Sequence, residues 1–453
     1  MLPTIAQVAH RPSLPFALAF VLLVAGCSHI AVEPTPDTAT GSDGRSVLRV
    51  ALFPWIPDAA GDGFAALRRN LESEFERRHP DVDLEIRLKP WDDSYYSPAK
   101  IAGWLAGGEF DLVEIDTVIL GDLVEAEVIE PWPPQDASTF FRAAVDGASI
   151  VANPGGDRTW WGVPHLMCGY FLVSQSDRID GAPSIDEVTS AVREDGRPLL
   201  GNFDSSWDLP SLYLDARVDN GFDPADLRRA VEPPLDPATA GAVEKLAALC
   251  ARDGQNPCVD GTYSDAWDGP VEAFVAGDAS GYWGYSERLH LTVKSLRENP
   301  AAASKVRITD LRIATLPLGS EATPLLFTDA LVRRRGCGAE GSCRRASVAF
   351  AEFMNSDWAN RQVLLSGDAA SIGEAAVPRY LLPATRAAFD IDAIRDDPTY
   401  AELREFADSG RALPNDGELY ERRRVLAWLL VERLKASQAP TETVRPAPPP
   451  QGR

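Results

Sequence analysis

The sequence predicts a mixed α/β protein built as two lobes with a cleft between them. Three observations lead there. The chain has 453 residues, so an export segment and a polar tail still leave enough for two domains of ordinary size. Helical and strand hydrophobic periods alternate along most of its length. A hydrophobic fraction of 45% with 11 Trp supplies a sizeable core.

The elements follow in order. An apolar run over residues 16–24 comes after Arg11 and ends in Val24-Ala25-Gly26-Cys27, a lipobox. The run is too short to span a bilayer as a helix, so it reads as a lipoprotein signal peptide whose removal exposes Cys27 for lipidation. Residues 28–45, rich in Pro, Thr, Ser, Gly and Asp, form a flexible tether. Residues 47–53 suit a buried strand. Phe64, Leu67, Leu71 and Phe75 recur at helical spacing until His79-Pro80, and Val82, Leu84, Ile86 and Leu88 then alternate, which completes a βαβ opening. A helix over 99–105 leads to a strand over 110–116 that ends in Asp116, the end at which open α/β sheets hold ligands. Residues 160–173 read as extended chain, mixed patterns run to about Arg335, and helices dominate after Arg344. The last helix carries Leu426, Leu430 and Leu434 on one face, and the Pro-rich segment from Ala439 is expected to be disordered.

Export places the cysteines in an oxidising compartment. Cys250 with Cys258, and Cys337 with Cys343, are close enough in sequence to close two small disulfide loops, expected as braces on surface insertions. With Cys27 lipidated, Cys168 remains. An unpaired thiol exposed to oxidants calls for burial in the core or for chemistry, and cysteine count alone favours burial in the core. The net charge of −23 excludes a nucleic-acid binder, which needs clustered Lys and Arg, and suits a cationic small ligand or solubility alone.

The order of elements, with the lipobox and tether, resembles an extracytoplasmic solute-binding protein of the two-lobed type II kind over residues 47–435. Shorter segments sharpen this: Ala51-Leu52-Phe53-Pro54-Trp55-Ile56-Pro57-Asp58, Ile115-Asp116-Thr117-Val118, Val163-Pro164-His165-Leu166-Met167-Cys168, Gly284-Tyr285-Ser286-Glu287, Phe327-Thr328-Asp329 and Tyr380-Leu381-Leu382-Pro383-Ala384. Their ordered combination resembles thiaminase I (thiamine pyridinylase), a family that uses the binding-protein fold as an enzyme. The resemblance implies that Cys168 attacks the pyrimidine of thiamine and that Glu287 takes the thiol proton. The thiazole then leaves and a second base takes its place. Glu287 alone would read as a surface acid. A carboxylate beside a thiol raises the thiol pKa, so the pair is expected to act as base and acid rather than as a preformed ion pair. The resemblance also puts Asp116 and Asp329 near the substrate's amine or ring nitrogen, although a helix cap or a surface turn would explain either acid equally well. Tyr285, Phe53 and Trp55 are expected to wall the ring. The chain departs from the family at Phe53 and Phe327, where tyrosines are expected, and near a further tyrosine it offers only Trp267 or Asp268.

The implied organisation is signal peptide 1–26, lipidated Cys27 and tether 27–46, first lobe 47–167, second lobe 168–325, return to the first lobe 326–375, helices mainly of the second lobe 376–437, and a tail 438–453. No cofactor and no metal are expected, since the five histidines show no ligand spacing. Gly336-Cys337-Gly338-Ala339-Glu340-Gly341 fits a dinucleotide fingerprint by letter only, because its cysteine is assigned to a disulfide. His165, three residues from Cys168 on extended chain, is expected to face away from it. The expected partners are thiamine, a nucleophilic base and, through the lipid alone, a membrane. The protein is expected to be an extracytoplasmic monomer. The alternative is a non-catalytic lipoprotein receptor that delivers thiamine-like or other small solutes to an importer.

Overall fold

A computed structural model describes residues 44–90, 93–151, 156–203, 205, 207–222, 232–263, 268–337, 341–372, 376–417 and 419–438. The signal peptide, Cys27, most of the tether, Trp267 and the tail from residue 439 lie outside the described residues. Among those described, no helix is long and apolar enough to cross a membrane.

The strands are β1 Ser46–Ala51, β2 Val82–Arg87, β3 Leu112–Asp116, β4 Ile129–Glu130, β5 Ser149–Val151, β6 Arg158–Trp160, β7 Gly162–Ser174, β8 Leu199–Leu200, β9 Gly281–Tyr285, β10 Arg312–Thr315, β11 Leu325–Arg334, β12 Leu382–Pro383 and β13 Arg411–Ala412. The main sheet runs β2-β1-β3-β11-β7-β9-β8, and β5 pairs with β6 apart from it. The opening is the expected βαβ: β1 lies parallel to both β2 and β3, and helix Ala65–Arg78 connects β1 to β2. That helix buries Leu67, Leu71 and Phe75, and it ends before Pro80, whose preceding residue disfavours helix. Its outer face closes an open edge as well. Glu72 and Glu76 accept hydrogen bonds from the N–H groups of Ile86 and Leu84, which occupies donors that an edge strand would otherwise offer to another chain.

β7 ties the two halves of the sheet together. Its first part pairs antiparallel with β11, from Gly162 to Gly169, and its last part pairs with β9 from Tyr170 to Ser174, with β10 along the other edge. A Cβ at Gly169, where the change of partner falls, would lie 2.8 Å from Leu326 Cδ2, so the glycine permits the close approach of β11. Helix Asp208–Asp219 packs on β11 and against helices Pro237–Ala248 and Leu419–Gln438. The last of these turns Leu426, Leu430 and Leu434 inward.

Cys250 is bonded to Cys258 and Cys337 to Cys343, with Cα separations of 6.0 and 5.3 Å. Their position corrects the expectation of surface braces, because all four half-cystines are buried. The first bridge lies against the β8 segment, where the Gly201 N–H donates to Cys258 Sγ at 3.3 Å. The second joins the chain just after β11 to helix Ser342–Met354. A half-cystine is an apolar group, so it joins the core when its loop folds back over a strand.

Candidate active site

Cross-strand register assembles the site. Asp116, the last residue of β3, lies opposite Asp329 of β11. Phe327 of β11 lies opposite Cys168 of β7, and Tyr170 of β7 lies opposite Tyr285 of β9. Directly paired residues project to the same side, as do residues two apart on one strand, so these six share one face of the sheet. After β9 the chain turns into helix Arg288–Glu298 with Glu287 at its N-cap position, and the segment after β1 brings in Phe53 and Trp55.

Together they form one small pocket lined by Phe53, Trp55, Tyr96, Asp116, Met167, Cys168, Trp207, Tyr285, Glu287, Phe327, Asp329 and Leu381. All seven candidate catalytic and binding residues from the sequence line this one space. Sequence reading missed Tyr96 and Trp207, whose rings lie 4.7 Å apart, and Leu381 went unassigned although it falls in a quoted segment. Tyr96 sits edge-on to Phe53 at 5.8 Å, so a phenol enters the site although position 53 lacks one. Nothing in the local pattern of residues 93–96 or 207 marked them, since they meet the cavity from separate connections. Asp268, the other residue considered for a further tyrosine, is ion-paired with Arg288.

The electrostatics are those of a desolvated acidic pocket. Burial pushes the Cys168 thiol well above its ordinary value, and the Asp329, Glu287 and Asp116 carboxyls push it further, so the resting sulfur is a protonated thiol. Burial raises Glu287 to about 7, partly offset by Arg288 and its own backbone N–H. Glu287 Oε2 is buried without a hydrogen-bond partner among the described residues. Asp116 and Asp329 are both pushed upward by burial, and Asp116 adds to the effect on Asp329. Opposing this at Asp116 are the Val118 N–H, 3.0 Å from Oδ1, and the nearby Arg423. Asp116 is therefore a cap for the turn Thr117–Ile119 and a wall of the cavity at once.

Two buried networks back the site. The Tyr285 and Tyr170 hydroxyls lie 2.6 Å apart, and the Tyr170 O–H donates to Asp208 Oδ1 at 2.6 Å, which fixes the tyrosine that faces the cleft. His165 Nδ1 contacts Glu114 Oε1 at 2.5 Å, and the Phe53 N–H donates to Glu114 Oε2 at 3.0 Å. His165 does not line the cavity. The β7–β11 register shifts between Asp329 and Ala330, opposite His165, so simple alternation from Cys168 does not hold across it. What engages the histidine is its carboxylate partner. Among the described residues no group of three or more His, Cys, Asp or Glu is placed to hold a metal ion. Chemically, a protonated thiol, a carboxyl that titrates near neutrality and two further acids in an aromatic enclosure suit a flat, cationic or protonatable ring and a coupled proton transfer from sulfur.

No protein-family model and no curated protein sequence matches this chain. Solved structures do. Clostridium botulinum thiaminase I in complex with thiamin superposes with a TM-score of 0.63 at 18% identity, over 86% of this chain and 100% of that one. Thiaminase I from Bacillus thiaminolyticus gives 0.62 at 20% identity, over 86% and 99%. The GacH receptor of Streptomyces glaucescens, solved unliganded and with acarbose, gives 0.59 at 17% identity, over 86% and 96%. At these identities the likeness is one of fold, and the chain has the two-lobed type II periplasmic-binding-protein-like architecture that thiaminase I shares with a sugar-binding receptor.

Proposed function

We propose that this protein is a thiaminase I-like transferase that cleaves thiamine and joins its pyrimidine methylene to a second base. The observation that carries this reading is the meeting of the Cys168 thiol and the Glu287 carboxyl, with its unengaged Oε2, on one enclosed aromatic cavity. Glu287, near neutrality, takes the proton as the sulfur bonds to the pyrimidine ring, so no isolated thiolate is formed in a pocket that disfavours one. The thiazole departs with the electron pair of its bond to the methylene, which neutralises its ring nitrogen. The base then bonds to the methylene, the carbon–sulfur bond breaks, and the sulfur recovers the proton. Asp116 and Asp329 hold the exocyclic amine and ring nitrogen of the pyrimidine, and Phe53, Trp55 and Tyr285 wall the ring. A cation is favoured because three acids and few bases face the space.

On this reading the catalytic lobes, 47–167 with 326–375 and 168–325 with 376–437, are held at the outer side of a membrane by lipidated Cys27. They act there as a monomer with thiamine and a nucleophilic base as substrates. The likeness in fold to an acarbose receptor favours a second reading, capture of a small solute without chemistry. Incubation of the mature protein with thiamine and pyridine or an aromatic amine separates them. Release of thiazole with base exchange is expected. Tight thiamine binding without turnover across acceptors would leave the receptor.

A further inference from the structure

Asp208 is a buried acid beside the cleft that the chemistry proposed above leaves unused. A line of hydroxyls leads to it from the cavity. Tyr285 lines the cavity, its hydroxyl lies 2.6 Å from that of Tyr170, and Tyr170 lies 2.6 Å from Asp208 Oδ1. Counting protons gives the line a direction. Tyr170 has one hydroxyl proton and donates it to Asp208, so Tyr285 is the donor between the two tyrosines, and its oxygen keeps a lone pair for a donor in the cavity. The two rings lie 4.5 Å apart with 32° between their planes, which holds the hydroxyls together. At the far end, Tyr170, Asp208 and Tyr285 also line a second pocket with Asn202, Gly284 and Arg288, and the last three are only half-buried, so solvent reaches it. Burial raises the Asp208 carboxyl, partly offset by the Tyr170 hydroxyl and Arg288, which gives it more than a carboxylate's ordinary affinity for a proton.

Exchange chemistry has a use for a further base. When the second substrate bonds to the methylene, Glu287 still holds the thiol proton and must return it to sulfur, while Asp116 and Asp329 are engaged with the pyrimidine. A tertiary nitrogen such as that of pyridine then has nothing to lose. A primary amine or water gains a positive charge as its bond forms and carries one proton too many. Resting on the transferase reading, we propose that Tyr285, Tyr170 and Asp208 form a relay that carries this proton out of the cleft. The attacking atom passes its proton to the Tyr285 oxygen, the Tyr285 hydroxyl proton moves to Tyr170, and the Tyr170 proton moves to Asp208 Oδ1. Both phenols end neutral and Asp208 ends as the acid. Asp208 then gives the proton to water in the second pocket, and the hydroxyls turn back. No phenolate is formed on the way, which suits two tyrosines whose ionisation is strongly disfavoured by burial. Asp208 acts through Tyr285 and touches no substrate, so it is a positioning residue whose loss is felt by substrates that bring a proton.

The test uses the whole mature protein with thiamine and two acceptors in parallel: pyridine, which has no proton to lose, and aniline, which has one. Asp208→Asn keeps an oxygen that accepts from Tyr170 and removes the capacity to take a proton. Its kcat/KM for aniline, followed by thiazole release, should fall roughly a hundredfold, the lower end of general-base catalysis, while kcat/KM for pyridine stays unchanged. Tyr170→Phe, which deletes one hydroxyl of the line, should show the same selectivity and stands in if Asp208→Asn does not fold. Equal losses with the two acceptors would make the group a mere support for Tyr285 and overturn the relay, as would wild-type rates with aniline. Wild-type protein that releases no thiazole with any acceptor would overturn the transferase reading and the relay with it.

Discussion

Two groups of buried acids in this molecule look alike by titration and differ in what their oxygens do. On helix Asp208–Asp219, Asp215 and Asp219 are buried one turn apart, and burial raises both, Asp219 to about 7. Their oxygens are occupied: the Leu325 N–H donates to Asp215 at 2.8 Å, and the Leu318 and Thr323 N–H groups donate to Asp219 at 3.0 and 2.8 Å. The pair staples the segment leading into β11 to the helix. In the cleft, burial again raises Asp116, Asp329 and Glu287, yet Glu287 Oε2 meets no donor among the described residues. A raised pKa therefore marks desolvation in both places, and unengaged hydrogen-bonding capacity facing a cavity separates a candidate reactive group from a clasp.

The largest expected effect lies in the cleft. Cys168→Ser should reduce thiazole release to background while thiamine still binds, since a hydroxyl is far harder to ionise than a thiol and attacks an aromatic carbon poorly. Wild-type turnover in that variant would remove the sulfur from the mechanism. Next comes Glu287→Gln, which keeps the shape of the side chain and loses the proton acceptor. A drop of roughly a hundredfold in the single-turnover rate is expected. Glu287 is a carboxylate above about 7 and an acid below it, so the wild-type rate should fall as pH drops through that value and the variant profile should lose this acidic limb. An acidic limb that persists in Glu287→Gln would assign it to another group.

The same contrast applies to sulfur. Four described sulfurs are engaged in bridges, and Cys168 is the free cysteine among the described residues. Peptide mapping without reductant should recover both bridges and find Cys168 alkylated. Replacing Cys250 and Cys258 together by Ala should cost roughly 2.5 kcal/mol in urea denaturation on the chain-entropy model. Asp219→Ala should cost about 2 kcal/mol, because two buried N–H groups lose their acceptor, and should leave kcat/KM unchanged. A loss of activity there without a loss of stability would break the comparison between clasp and cleft. The smallest effect is in the pH dependence of stability. Asp219 binds its proton more tightly folded, at about 7, than at its ordinary 3.8, so its contribution is complete below about 4 and is lost as pH rises through about 7. The melting temperature of Asp219→Asn should therefore fall less than that of wild type between pH 5 and pH 8.

Periodicity alone determined the opening of the fold. Leu67, Leu71 and Phe75 fall on one helix face, with Phe64 held at the N-cap in the left-handed region instead of in the first turn, and Val82, Leu84 and Ile86 fall on one strand face, because the spacing is a property of the local backbone. Cysteine bookkeeping singled out Cys168, and the ordered segments brought Glu287, Asp116 and Asp329 to notice by resemblance. What the sequence did not contain is the lateral register. Alternation states which side of a strand a residue faces and is silent on which distant strand lies alongside, so the pairing of Cys168 with Phe327 and of Asp116 with Asp329, each across more than a hundred residues, was decided by the packing of β3, β11, β7 and β9 into one sheet. For the same reason Tyr96, Trp207 and Arg423 could not be placed in advance. Each lies on a different connection or helix, and only the closing of the chain around the cleft removes water from all of them at once and gives their rings and charges a common environment.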